Sequence, residues 1–98
     1  MTALKDAYLD AGGVCEGGFS QDNKVKAARQ SGVCGEDVVL SVYKTKADRD
    51  GVVSTMRAFE QGFDNPDKIL VGPNWIVNSP DIKKVQKTIG GKIVDLGD

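Results

Sequence analysis

The chain has 98 residues, a net charge of −1, 40% hydrophobic and 28% charged residues. That is the composition of an ordinary globular domain, and one domain spanning residues 1–98 with a single modest core is expected. No basic surplus exists to gather phosphates, which argues against a nucleic-acid partner. No run approaches the roughly 18 apolar residues that a membrane-spanning helix needs.

Thr2 to Ala11 reads as a first helix. Thr2 serves as N-cap, Leu4, Tyr8 and Ala11 share one face, and Gly12-Gly13 ends it. Met1-Thr2-Ala3 leads directly into this pattern, with neither the basic segment nor the apolar stretch of an export signal. The expectation is a cytosolic chain or a mature domain whose leader lies upstream. Gly17-Gly18 and Ser20-Gln21-Asp22-Asn23 read as a loop.

Lys24 to Gln30 reads as an edge strand, its lysines discouraging edge-to-edge pairing, although Ala27-Ala28-Arg29-Gln30 would equally suit a helical turn. Cys34-Gly35-Glu36-Asp37 reads as a hairpin turn into a clear strand, Asp37 to Tyr43, apolar on both faces and so well buried. Thr45 to Asp48 resembles a capping box. The helix after it carries Val52, Met56, Phe59 and Phe63 as its apolar stripe, with Arg49, Asp50, Arg57 and Glu60 mostly on the wet side. Gly62 and Asn65-Pro66 close it.

Ile69–Val71 and Trp75–Val77 flank a Gly72-Pro73-Asn74 turn, a β-hairpin that forms the most apolar part of the chain and its expected core. Ser79-Pro80-Asp81 starts a helix with Ile82, Val85 and Ile89 buried and Lys83, Lys84 and Lys87 solvated. Gly90-Gly91 stops it, and Lys92 to Leu96 is a final strand. From Asp37 onward the order is strand, helix, strand, strand, helix, strand. This predicts an α+β fold, an antiparallel sheet of four to five strands with helices on one face, built on a ferredoxin-like split βαβ core. In that topology the last strand lies beside the Asp37–Tyr43 strand, where the Lys24–Gln30 strand would also pair. The shorter loop favours the local hairpin.

Candidate chemistry is sparse. The chain has no histidine, which removes the commonest general base and metal ligand, and no cofactor motif stands out. The expectation is no catalytic residue, no metal site and no cofactor. Glu16, Asp22, Glu36 and Asp37 match no calcium loop and read as solvated charge. Lys83, Lys84, Lys87 and Lys92 form either a small basic patch or an ordinary wet face. Pro73, Asn74 and Trp75 are the candidate interaction surface, because a turn tip bearing Trp suits a binding hot spot. The competing reading has Pro and Asn serving the turn and the indole filling the core. Cys15 and Cys34 sit beside glycines in loop-like positions. A bridge between them would close a loop of about 20 residues, worth roughly 3 kcal/mol. It would also indicate an oxidising compartment. Two buried free thiols are the alternative.

The cysteine near the first helix, the Ser31-Gly-Val-Cys-Gly35 segment, Lys46-Ala-Asp-Arg-Asp50, Leu70-Val-Gly-Pro-Asn-Trp75 and Ile89-Gly-Gly-Lys-Ile-Val94 together resemble small extracytoplasmic, often lipoprotein-type, domains of high-GC Gram-positive bacteria and their phages. The resemblance covers most of the chain and is sharpest at Leu70–Trp75. It implies an export route and a disulfide, but no activity. A protein partner is expected, with room for a lipid anchor upstream. A phage-borne version would suit superinfection exclusion. The chain departs from the pattern in lacking a lipid-modification cysteine at its start. The function expected is a non-enzymatic, extracytoplasmic interaction domain. The alternative is a cytoplasmic regulatory or dimerising α+β domain, and an enzyme is disfavoured.

Overall fold

The computed structural model describes residues 2–13, 15, 18–22, 28–34, 38–60 and 68–96. Its elements are α1 (Thr2–Asp10), β1 (Phe19–Asp22), β2 (Gln30–Cys34), β3 (Val38–Val42), α2 (Lys46–Glu60), β4 (Lys68–Val71), β5 (Trp75–Asn78), α3 (Ile82–Ile89) and β6 (Lys92–Asp95). The strands form one six-stranded sheet in the order β1-β2-β3-β5-β4-β6, and every neighbouring pair is antiparallel.

The α+β character and the antiparallel sheet agree with the sequence; the number, placement and order of the strands differ, and so does the placement of the helices. Among the described residues the sheet has six strands. Phe19–Asp22, expected as loop, is an edge strand, and the strand expected at Lys24–Gln30 lies further on, at Gln30–Cys34. Positions 23–27 are outside the described residues. The ferredoxin-like order does not hold either. β2 occupies the outer edge of β3, Cys34 facing Val38, so β6 pairs with β4 at the far border, Leu70 facing Ile93.

That order decides where the helices go. β3 and β4 are parallel with β5 between them, and β5 and β6 are parallel with β4 between them. Both connections step the same way across the sheet but leave from strands of opposite sense. Crossover connections are right-handed almost without exception, so α2 and α3 must cover opposite faces. They do. On one face α1 and α3 pack Leu4, Tyr8, Ile82 and Val85 onto Leu40, Val77 and Leu70. On the other α2 lays Val52, Val53 and Met56 against Ile69, Ile76, Tyr43 and Leu96. The expectation of helices on one face is thus corrected.

Local signals explain most element ends. Gly12 adopts φ +95°, its N–H bonds Leu9 O at 3.0 Å, and Gly13 N–H bonds Tyr8 O at 3.0 Å, the paired bonds of a Schellman helix end. Gly13 also lies so close to Tyr8 that a methyl there would overlap the phenol ring. Thr45 caps α2, its hydroxyl accepting Asp48 N–H at 3.1 Å. α3 begins at Ile82 with Asp81 at the N-cap, while Ser79 Oγ accepts Asp81 N–H at 3.0 Å. The same hydroxyl meets Tyr8 Oη at 2.8 Å inside the core, joining α1 to the entry of α3. The stripe of α2 holds at Val52 and Met56. The side chain of Phe59, with Gly62, Phe63 and Asn65-Pro66, falls outside the described residues.

Cys15 and Cys34 are disulfide-bonded, with α-carbons 4.6 Å apart. Cys34 is buried at the end of β2, opposite Phe19 of β1. The bridge therefore fastens the entry of the edge strand to its neighbour. The free-thiol alternative is excluded.

Candidate interaction surface

The β4–β5 hairpin is built as its sequence suggests. Val71 faces Ile76, and Gly72 N–H donates to Trp75 O at 2.9 Å across the turn. Two further groups fasten this turn to the rest of the molecule. Tyr43 N–H, just past β3, donates to Asn74 O at 2.7 Å. Arg49 of α2 reaches over and donates Nη1 to Gly72 O at 2.6 Å and Pro73 O at 3.1 Å. Its Nε and Nη2 donate to Asp50 Oδ1 at 3.1 and 2.6 Å. Four bonds hold the guanidinium, and the Arg49 side chain is only 12% exposed. Its placement on the wet side is therefore corrected. The sequence carries no cue to this, because the residues that meet lie 23 and 24 positions apart.

Pro73 and Asn74 stand exposed at the tip of this anchored turn. Trp75 is half-buried, at the rim of the core, whose fully buried members from the hairpin are Ile69, Leu70, Ile76 and Val77. The indole lies over Gly72 and Gly91, and any side chain at Gly72 would overlap it. Its free edge opens into an apolar groove of about 410 Å³, with Ala3, Leu4 and Ala7 of α1, Val42 of β3 and Ile89 of α3 as the other walls. The three residues singled out in the sequence are thus contiguous but chemically divided. Pro73 and Asn74 form an exposed tip whose one polar side chain is Asn74, and Trp75 belongs to the apolar groove beside it. Of the helix walls, Leu4 and Ile89 lie on stripes that the sequence shows, whereas Ala3 and Ala7 carry no signal of their own.

No family model, curated protein or solved structure matches this chain.

The remaining candidates fall elsewhere. Tyr43 is buried, its hydroxyl 2.8 Å from Ser41 Oγ; burial raises its pKa above the ordinary value and the Ser41 bond partly opposes this. Lys83, Lys84 and Lys87 line the wet side of α3, whereas Lys92 belongs to the side of the sheet that α2 covers. They are not one patch. Glu16, Glu36, Asp37 and the side chain of Asp22 are outside the described residues. Among the described residues no group of three or more His, Cys, Asp or Glu converges as a metal site, and no helix is long and apolar enough to cross a membrane.

Proposed function

We propose that this chain is a non-enzymatic, extracytoplasmic interaction domain that grips a partner protein through the Trp75 groove and the Pro73–Asn74 tip. The observation that carries the reading is the groove itself, whose walls among the described residues are all apolar and include a half-buried Trp. Tryptophan is among the residue types most enriched at binding hot spots, and apolar clefts are the usual binding sites. The tip beside it is held by Tyr43 and Arg49, so little ordering cost remains on binding. The disulfide fits an oxidising compartment, and the likeness of Leu70–Trp75 and the cysteine pair to envelope domains supports the same placement. In a phage, blocking an envelope protein used for DNA entry would follow. The absence of histidine from the chain supports a binding role over catalysis.

The test places a photo-crosslinking amino acid at position 73 and irradiates cells of the source organism. The reading expects an adduct with one envelope protein that persists with Lys87→Ala and is lost with Trp75→Ala. It should be lost equally with Ala7→Glu, which puts charge into the groove without removing core packing. An adduct indifferent to both groove substitutions refutes the reading. An adduct with a second copy of the chain would instead establish the dimerising alternative.

A further inference from the structure

A second concavity, of about 450 Å³, lies on the opposite face of the sheet, between α2 and the β4–β6 border. Its composition departs from that of the chain, which carries one net negative charge. Lys46, Arg49 and Arg57 reach it from α2 at spacings of three and eight, with Asp50 on the same stripe, and Lys92 from β6 closes the other side. Among the described residues Asp50 is the one acidic wall, and it is already taken by Arg49, whose remaining donor is held by the hairpin carbonyls. That leaves Lys46, Arg57 and Lys92, none of which forms an ion pair among the described residues. The Arg57 Nε–H is moreover shut off from solvent and has no hydrogen-bond partner. A buried donor left unsatisfied in this way is costly. Val53, Val71 and Val94 give the cleft an apolar floor.

We propose that this cleft binds a small molecule through a phosphate or pyrophosphate group. A dianion suits three convergent cations better than a single carboxylate does. Arg57 supplies a planar fork that meets two oxygens at once, and Lys46 and Lys92 add mobile point charges on either side. The valine floor accepts an uncharged body attached to the phosphate. The volume lies within the range of ordinary small-molecule sites. The cleft shares no wall with the Trp75 groove; Arg49 lines the cleft and also clasps the hairpin tip, and the test substitutions leave it in place.

The test is titration of the isotopically labelled protein, followed by its amide proton–nitrogen spectrum, with inorganic pyrophosphate and with sodium chloride at matched ionic strength. Vesicles of phosphatidic acid, with phosphatidylcholine as control, ask whether the phosphate belongs to a lipid headgroup. The proposal expects saturable shifts confined to α2 and β6 with pyrophosphate, absent with chloride. Arg57→Gln should weaken binding about tenfold or more, as loss of a charge-assisted bond does. Lys46→Gln and Lys92→Gln, both at exposed positions that leave packing intact, should each weaken it about threefold. Binding to phosphatidic acid vesicles with the same sensitivities assigns the headgroup as the source, and binding to pyrophosphate alone assigns a free ligand. Absence of saturable binding to either probe, or binding unchanged in the two lysine variants, overturns the proposal.

Discussion

Removing the Cys15–Cys34 bridge tests how much of the fold depends on covalent fastening. The two cysteines are 19 positions apart, and the chain-entropy relation for a loop of this size gives about 3 kcal/mol. A domain of this length holds only about 5–15 kcal/mol in total, so the loss is a sizeable share. The choice of partner to replace matters. Cys34 is 2% exposed, and as a free thiol it still packs as a small hydrophobe. Cys15 is half-buried, so Cys15→Ser reports the crosslink with little else. Cys34→Ser places a hydroxyl in the core as well and should cost roughly 1–3 kcal/mol more. In thermal unfolding followed by circular dichroism, Cys15→Ser should lower the midpoint by roughly 10–20 °C. Wild type in reductant should match Cys15→Ser, and Cys34→Ser should melt lowest. A Cys15→Ser midpoint within a degree or two of wild type would refute the claim that this bridge constrains the unfolded chain.

Two further outcomes follow from the buried hydroxyls. Tyr8→Phe removes the 2.8 Å bond to Ser79 while Ser79 keeps the Asp81 N–H, so it should cost about 1 kcal/mol in urea unfolding and Ser79→Ala about 2. A double-mutant cycle with a coupling near zero would contradict the geometry. Burial raises the Tyr43 pKa, so the folded state holds this proton more tightly than the unfolded state. The associated stability is complete below about pH 10 and is lost as pH rises through the higher folded value. The stability difference between wild type and Tyr43→Phe should therefore be flat to about pH 9 and shrink above it; a difference that grows there would reverse the argument.

What could be read in the sequence was whatever repeats with a fixed period. Leu4, Tyr8 and Ala11 found α1; Val52 and Met56 found α2; Ile82 and Val85 found α3. The paired apolar runs found the β4–β5 hairpin. β1 escaped because Phe19 is its one apolar residue, and an edge strand needs no alternation. β2 was placed too early because Ser31 and Gly32 look like turn residues. Gly32 is instead the space that the Phe19 ring fills. The short connection between β2 and β3 bars β6 from the ferredoxin-like position. The apolar character of β3 on both faces likewise required cover on each side. At the candidate surface, the tip was visible in Gly72-Pro73-Asn74-Trp75. The Arg49 clasp and the walls that α1 lends to the groove were not, because each depends on elements distant in sequence meeting in space.

The two borders of the sheet are secured by different means. At β1 the sulfur bridge ties the incoming chain to β2, so that strand cannot drift off while the bond survives. At β6 no covalent tie exists, and four paired positions along β4 with the packing of Ile93, Val94 and Leu96 help to hold the strand. Unzipping should therefore begin on the carboxy-terminal side, leaving a stapled remnant of β1, β2 and β3 as the last part to let go.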